Sequence, residues 1–518
     1  MISTADSRLR RKANAVQPAP SAATTSPRAP SSPGNEFPGY LRPSFGRRAH
    51  PGLRPGGTDE DSAEVHFRAA LALAAVALAG SWLLAAPAHA GTPPEWVEYV
   101  DESATRISAA ASLGVSDTEE KDLVSGDVDK DGDADLIVVR KLPFTNAGPR
   151  RNVLFMNEDG VMVDRTDTLV PDFLDATDDR EVLLVDVDGD TWLDVVTAGT
   201  FDEQPRVLMN RRRMAGVWQG FVYEPARLPT ITPGPKFCGL GAGDVTGNGR
   251  PDLYFTDYEN TTEDRLLIND GNGFFTDETA TRMPASFAAS VFGTDAEIVD
   301  VNGDTFNDVV KTNSSGNSPP PGTDPVVSVL YNDGTGNFDF KDDIYTFAPY
   351  MTEAADFNKD GLLDFFVVDD NQDRFMVNLG NDPDGHAQFD IQAVGNSPNT
   401  IGFGGNVKFA DLDGDTILDV LVADVDTDIG GPVPVGCSRE LALLRGQGQL
   451  PNITYADPIV GGSRPWLMNG VYDVEPMHID DDGVLDLWIG SCSGNRVFMG
   501  STQVIFFDGF ESGDTSAW

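Results

Sequence analysis

Seven acidic segments recur along the chain, and the clearest of them runs from Asp127 to Asp135. Aspartates stand at positions 1, 3, 5 and 9 of this segment, and Gly132 stands at position 6, where the backbone must bend sharply. Side-chain oxygens at this spacing converge on one point, which is how a protein loop surrounds a hard divalent cation. Because an apolar run follows at Leu136, the pattern predicts a cation-binding turn that leads into a strand.

The spacing of these segments indicates a structural repeat. Successive segments, numbered here as loops 1 to 7, begin 59, 58, 56, 56, 55 and 67 residues apart. One acidic turn would be weak support for a cation site, but seven at near-constant spacing indicate one repeated unit. Position 1 of each loop is, in order, Asp127, Asp186, Asp244, Asp300, Asp356, Asp411 and His478.

The predicted ligands differ between loops. Loops 1, 2 and 6 offer four carboxylates and are expected to bind most tightly, loops 4 and 5 substitute Asn at position 3, and loop 3 offers two carboxylates and is expected to be weaker. In loop 7, His478 is a poor calcium ligand, so this site is either empty or shifted to use Asp481. The ligands are Asp127, Asp129, Asp131 and Asp135; Asp186, Asp188, Asp190 and Asp194; Asp244, Thr246, Asn248 and Asp252; Asp300, Asn302, Asp304 and Asp308; Asp356, Asn358, Asp360 and Asp364; Asp411, Asp413, Asp415 and Asp419; and Asp480, Asp482 and Asp486.

The chemistry of these ligands favours several Ca²⁺ ions. All donors are oxygens, which disfavours zinc and copper, and magnesium would demand a tighter octahedron with more water. The alternative, a solvated turn with no ion, suits one loop but leaves the set of carboxylates mutually repulsive. Position 6 is Thr in loops 2, 4 and 6, so those turns need not share one backbone geometry. Protein ligands leave little room for a substrate, so the sites are expected to be structural.

Four short strands surround each loop, which is the content of one propeller blade. Third strands often end in Asn, as in Val153–Asn157 and Val327–Asn332. The segment Trp96–Asp101 is expected to supply the outer strand that the last blade lacks after Met499. The predicted fold is therefore all-β, a seven-bladed β-propeller of four-stranded antiparallel blades. A calcium-binding β-helix is the main alternative, but its repeat is far shorter.

The repeats resemble the FG-GAP or VCBS family, whose blades also form the integrin α-subunit propeller. The resemblance rests on residues 126–135 and 265–279 and extends over roughly residues 95 to 500. It implies a calcium-stabilised propeller used for extracellular adhesion or ligand binding, and it fixes no ligand.

The N-terminal region has the composition of a leader. Residues 1–64 are rich in Arg, Pro, Ala, Ser and Gly and are expected to be disordered, or untranslated if synthesis starts at Val65. Residues 65–90 resemble a secretory signal peptide with cleavage after Ala90, although the apolar run approaches the length of a membrane anchor. We therefore expect a protein that is secreted, on the cell surface or in the periplasm, with the propeller at 91–502 and a short tail at 503–518.

Composition limits the partners. Residues 91–518 hold 27 basic and 76 acidic residues, a net charge of −49, which disfavours nucleic acid and anionic membranes. The expected partner is an extracellular protein or a glycan, and the expected state is a monomer. Of three cysteines, Cys437 and Cys492 are predicted to pair, and Cys238 to be a buried strand residue.

The sequence favours a binding module over an enzyme. Only His386 and His478 follow the leader, and no nucleophile, phosphate-binding or zinc-protease motif occurs. The alternatives are a calcium-dependent polysaccharide lyase or hydrolase on the propeller and a purely structural spacer. The variable second turns, with Phe144, Phe201 and Tyr258, are the expected ligand face.

Overall fold

The computed structural model describes residues 96–110, 113–142, 148–259, 263–290, 292–314, 325–394, 405–423, 441–449, 452–456 and 470–501. The predicted leader and tail and Phe144 lie outside these residues. Helices within them span four residues each, and none is long and apolar enough to cross a membrane. They are α1 (Ser103–Arg106), α2 (Thr166–Leu169), α3 (Thr279–Arg282) and α4 (Ala285–Ala288), with a 3-10 turn at Pro171–Leu174.

Seven antiparallel sheets, numbered as blades 1 to 7 by the loop that each contains, make up the described fold. The strands before and within blades 1 to 3 are β1 (Glu98–Asp101), β2 (Ile107–Ser108), β3 (Glu120–Gly126), β4 (Asp135–Lys141), β5 (Val153–Glu158), β6 (Val161–Asp164), β7 (Asp179–Val185), β8 (Asp194–Gly199), β9 (Arg206–Asn210), β10 (Arg213–Met214), β11 (Val217–Trp218), β12 (Phe221–Tyr223), β13 (Phe237–Gly243), β14 (Asp252–Asp257), β15 (Arg265–Asn269) and β16 (Phe275–Asp277).

Blades 4 to 7 repeat the pattern, and the outer strands of blades 4 to 6 are longer than those of blades 1 to 3. They contain β17 (Gly293–Val299), β18 (Asp308–Asn313), β19 (Val326–Asn332), β20 (Phe338–Tyr345), β21 (Pro349–Ala355), β22 (Asp364–Asp369), β23 (Arg374–Asn381), β24 (Ala387–Ala393), β25 (Val407–Ala410), β26 (Asp419–Val422), β27 (Ala442–Gln449), β28 (Asn452–Ala456), β29 (Val471–Met477), β30 (Asp486–Ser491) and β31 (Gly494–Ser501). In blade 1, β2 adds a fifth strand parallel to β6, and β10 with β11 form a separate hairpin.

The two ends of the chain close the ring. First strands contact one another in order around the axis, and β29 contacts β3 again. The outer strand of blade 7 is β1, which pairs antiparallel with β31, Glu98 opposite Ser501 and Tyr99 opposite Gly500. The all-β seven-bladed propeller and its closure by the Trp96–Asp101 segment are thus confirmed.

The faces of neighbouring blades bury one another. Second strands are wholly buried, as in β4 and β8, because apolar residues on both faces contact an adjacent blade. Phe155 of blade 1 packs against Trp488 of blade 7 with ring centroids 4.9 Å apart, inside a cluster that both blades share. No blade can bury both faces alone, so the ring is expected to fold as one unit.

Candidate metal loops and blade junctions

Each acidic loop joins the first and second strands of its blade, so all seven lie on one face of the ring. Loop 4 shows the hydrogen bonds that fold the turn. Asp300 at position 1 accepts from the backbone N–H groups of Gly303 (2.8 Å), Asp304 (3.1 Å) and Thr305 (2.8 Å). Asp304 at position 5 accepts from the N–H of Phe306 at 2.9 Å. These bonds draw the carboxylates towards the centre of the turn.

The aspartate at position 9 ties the loop to the rest of its blade. In loop 2, Asp194 accepts from the N–H of Val187 through Oδ2 (3.1 Å) and from the N–H of Asn210 through Oδ1 (2.8 Å). The same residue is at most 1% exposed in every loop. Burial raises the pKa of this carboxyl group to about 8 at Asp135, about 7 at Asp194, Asp308, Asp364 and Asp419, and about 6 at Asp252 and Asp486. Position 9 therefore has a structural role in addition to its predicted role as a ligand.

Three of the loops bring three carboxylates together. Oxygen atoms from positions 1, 3 and 9 lie within 4.8 Å of one another in Asp127, Asp129 and Asp135, in Asp186, Asp188 and Asp194, and in Asp411, Asp413 and Asp419. In loop 6, Asp411 Oδ1 is buried and accepts no hydrogen bond within the described part of the chain. An all-oxygen cluster with an unused buried oxygen fits a hard divalent cation. These clusters can hold a metal ion.

The other loops offer fewer carboxylates at those positions. Loop 3 has Thr246 at position 3, and loops 4 and 5 have Asn302 and Asn358 there. In loop 7, His478 Nδ1 lies 3.0 Å from the carbonyl oxygen of Val484. The structure thus places the predicted ligands of every loop in one kind of turn, and it gathers three acids only in loops 1, 2 and 6 among the residues described.

All seven turns share a left-handed residue at position 6. The φ angles are +110° at Gly132, +79° at Gly249, +91° at Gly361 and +80° at Gly483, and the three threonines adopt the same region, +75° at Thr191, +78° at Thr305 and +73° at Thr416. Threonine in these loops therefore does not relax the geometry, although the sequence left that open. The N–H of each threonine donates to the position 1 carboxylate, which holds this otherwise unfavourable conformation.

An asparagine at the end of the third strand closes five of the junctions between blades. Asn332 of blade 4 donates through Nδ2 to the carbonyl oxygen of Val245 in loop 3 (2.8 Å) and to that of Asn307 in its own loop (2.9 Å). Its Oδ1 accepts from the N–H groups of Gly334 and Gly336. Equivalent bonds to the preceding loop are made by Asn157, Asn210, Asn269 and Asn378.

Blades 6 and 7 carry glycine at this position. Gly446 and Gly500 each stand opposite a tyrosine on the fourth strand, Tyr455 and Tyr99. A Cβ atom on Gly446 would lie 2.5 Å from the carbonyl oxygen of Leu418, so the strand runs too close to its own loop for any side chain. These two junctions therefore lack the asparagine bond to the preceding blade.

The junction between blades 5 and 6 contains a cavity of about 660 Å³. Phe357 of loop 5, Phe375, Leu379 and Tyr455 form part of its lining, together with Asp360. The hydroxyl group of Tyr455 is buried and has no hydrogen-bond partner among the described residues. In blade 7 the corresponding hydroxyl of Tyr99 donates to the carbonyl oxygen of Leu485 at 3.3 Å. The cavity lies on the loop face, not on the face of the second turns that the sequence favoured.

Acidic residues along the ring axis were missed at the level of sequence. They stand five and three residues before the loops, and several of them cap backbone N–H groups of the next blade: Asp122 accepts from Val182 and Asp473 from Leu123, each at 2.8 Å. Glu353 belongs to the same set, and Lys408 lies beside it in an axial cavity of about 140 Å³. In the sequence, these acidic residues alternate with other residues along the first strands. The large total number of acidic residues concealed this pattern. The full set is Asp122, Glu181, Asp295, Glu297, Glu353, Asp473 and Glu475.

The other candidate residues pack against neighbouring side chains or are buried in the fold. Phe201 and Tyr258 contact each other edge to face at 6.0 Å. His386 stacks on Phe340 with centroids 3.9 Å apart. Cys492 is disulfide-bonded and Cys238 is a free, buried thiol, in keeping with the predicted pairing, whose other member, Cys437, lies outside the described residues.

Comparison with known proteins identifies the repeats. The FG-GAP-like repeat family matches residues 244–311 and 356–422, each running from position 1 of one loop into the second strand of the next blade. No curated protein matches the sequence. A lectin structure from Agrocybe aegerita, described as recognising non-reducing terminal N-acetylglucosamine, is 15% identical with a TM-score of 0.44, over 73% of this chain and 87% of that one.

A second structure, the Tc holotoxin pore of Photorhabdus luminescens, is 14% identical with a TM-score of 0.35 over 74% of this chain, which spans 17% of the length of that chain. The family match and the seven blades agree with each other. The chain therefore contains FG-GAP-like repeats within a seven-bladed β-propeller.

Proposed function

We propose that this propeller is a calcium-stabilised, extracellular binding module without enzymatic activity, and that it holds a neutral glycan at the junction between blades 5 and 6. The observation that carries the proposal is the buried hydroxyl of Tyr455, which has no hydrogen-bond partner within the part of the chain that the structure describes and lies in a cavity where the junction lacks the asparagine bond. A polar group that is buried without a partner is costly unless a ligand satisfies it.

The lining of the cavity supports a neutral, hydroxyl-rich ligand. Its apolar side consists of Phe357, Phe375 and Leu379, and its polar side of amide, hydroxyl and carboxylate groups such as Gln392 and Asp360. Among the described residues, the lining contains no basic side chain, so an anionic ligand would meet negative charge that no described cation compensates. A sugar ring offers an apolar face and hydroxyl groups to match both sides.

Calcium is the cation that we propose for the loops. The clusters of loops 1, 2 and 6 offer oxygens alone, and burial holds the pKa of the position 9 carboxyl groups high as long as no cation faces them. When bound, the ion would supply the positive charge that these carboxylates need. Its role is then to rigidify the loop face that borders the ligand cavity.

A glycan array with the mature chain in calcium tests the binding proposal. The wild type should bind neutral oligosaccharides. Tyr455→Phe, which removes only the hydroxyl group, should bind roughly 3- to 30-fold more weakly, and Leu379→Asp, at a rim position that is 67% exposed, at least about 10-fold more weakly. Leu174→Asp, at an exposed site on blade 1, is the matched control and should bind normally.

Three outcomes oppose the proposal. Binding of acidic glycans alone would contradict the assigned ligand class, and equal binding by wild type and both cavity variants would contradict the site. Release of reducing ends or unsaturated products from bound polysaccharide would establish the enzymatic alternative. A wild type that binds an extracellular protein and no glycan would replace the glycan with a protein ligand.

A further inference from the structure

The three loops with the richest carboxylate sets each carry an arginine from outside the loop. In loop 1, Arg213 Nη2 lies 3.1 Å from Asp129 Oδ1, and its Nε donates to the Asp129 carbonyl oxygen at 2.6 Å. In loop 2, Arg212 pairs with Asp190. In loop 6, Arg445 pairs with Asp413 and lies 3.7 Å from Asp415 Oδ2.

Loops with fewer acids differ in this respect. Within the described part of the chain, no arginine or lysine forms an ion pair with an aspartate of loops 3, 4 or 5. In loop 7, whose residues 480–482 are all acidic, Arg106 lies 3.1 Å from Asp480. Among the described residues, arginine therefore pairs with the acid-rich loops 1, 2, 6 and 7 and not with loops 3, 4 and 5.

Two of the arginines belong to one projecting hairpin. Arg212 and Arg213 precede the turn of the β10–β11 hairpin, whose tip residues Met214 and Val217 are 67% and 65% exposed. Trp218 anchors the base of the hairpin, because its Nε1 donates to Asn210 Oδ1 at 2.8 Å. Apart from this anchor, the hairpin contacts loop 1 through Arg213 and loop 2 through Arg212.

A guanidinium group and a metal ion compete for the same carboxylate oxygens. Asp129 and Asp413 belong to the three-carboxylate clusters of loops 1 and 6, and the arginines already neutralise part of their charge. A cation that binds there must displace the arginine or share the carboxylate with it, and either costs binding free energy. The number of carboxylates is then a poor guide to affinity.

We propose that Arg212, Arg213 and Arg445 are intramolecular counter-ions that weaken cation binding at loops 1, 2 and 6, and that cation binding at loops 1 and 2 releases the β10–β11 hairpin. This rests on the proposed calcium-binding role of the loops. It reverses the affinity order expected from sequence, in which these three loops bind most tightly.

Calcium titration of the mature chain by calorimetry tests this inference. The Arg212→Ala/Arg213→Ala double variant should gain about 10-fold in affinity at two sites, and Arg445→Gln at one. Arg211→Ala is the matched control, because Arg211 lies on the same segment and pairs with Glu224 at 3.3 Å instead of with a loop. In the wild type, saturating calcium should also accelerate tryptic cleavage after residues 211–213 several-fold.

The outcomes separate this inference from the calcium proposal. Calcium binding by wild type and arginine variants with equal affinity, or tryptic cleavage that calcium leaves unchanged, would overturn the inference alone. Calcium binding by the variants and not by the wild type would support it in its strongest form. Absence of binding in all proteins would overturn both.

Discussion

The junction between blades 3 and 4 and the junction between blades 5 and 6 differ at one equivalent position. In the first, Asn332 makes four hydrogen bonds that join two loops and the turn after its own strand. In the second, Gly446 makes no side-chain bond, and a cavity of about 660 Å³ lies between the blades. The first junction is therefore bridged by an asparagine side chain, and the second is not.

The second glycine junction shows that glycine alone is not sufficient to open a cavity with an unsatisfied group. Opposite Gly500, Tyr99 is 2% exposed and its hydroxyl bonds to the Leu485 carbonyl oxygen. Opposite Gly446, Tyr455 has no such partner among the described residues. The difference singles out the blade 5–6 junction.

Of the changes predicted here, removal of calcium should lower stability the most, at closed and open junctions alike. We expect EDTA to lower the Tm of the protein by more than about 10 °C, because clustered carboxylates in the loops then repel one another without a cation. Differential scanning calorimetry would measure this, with readdition of calcium as the reversal. An unchanged Tm would mean that the loops are stable without an ion.

Loss of the asparagine bond should weaken a closed junction. Asn332→Ala is expected to reduce the free energy of unfolding by roughly 2–4 kcal/mol, because two carbonyl and two N–H groups lose a buried partner. Urea titration in calcium would measure it. Asn272→Ala, at an exposed position of a blade 3 turn, should cost less than about 0.5 kcal/mol. Equal losses would contradict the role assigned to Asn332.

Glu353, on the first strand of blade 5 and beside the axial cavity, should give stability a pH dependence. Burial raises the pKa of Glu353 from 4.5 to about 7, so the folded state binds more protons than the unfolded state between these values. The free energy of unfolding should therefore fall as pH rises through that window. Glu353→Gln should be more stable than the wild type by roughly 1–2 kcal/mol at pH 8 and should lose this advantage at pH 4.

Exposed Glu263 provides the control for that titration. Glu263→Gln should leave the pH profile unchanged. A Glu353→Gln profile that parallels the wild type would show that this carboxyl group does not carry the effect.

The smallest effect is expected at position 6 of loop 4. Thr305→Gly should stabilise the calcium-free protein by up to about 1 kcal/mol, because glycine adopts a φ of +78° without the steric cost that a β-branched residue has there. Gly361 already occupies the equivalent position in loop 5. Thermal unfolding in EDTA would measure the change, and a destabilised variant would mean that threonine makes a favourable contact in the loop.

Much of the fold followed from sequence because its signals are local and repeated. The loop pattern, the short apolar strands and the terminal Asn of the third strands fixed the blades and their number. The open junction did not follow, because its signal is the pairing of Gly446 with Tyr455 across two strands. The arginine pairs were equally hidden, since Arg213 and Asp129 lie 84 residues apart. The acidic residues along the ring axis could not be recognised in the sequence, because the chain contains many other acidic residues.

Hydrogen exchange with and without a neutral oligosaccharide pool tests the central claim most directly. In calcium, amides of the turn after Asn332 should exchange slowly in both conditions, and those of residues 357–362, 446–449 and 452–455 should exchange faster and become protected when saccharide is added. Equal exchange at the two junctions, or protection confined to other blades, would contradict the assignment of the blade 5–6 junction as the ligand site.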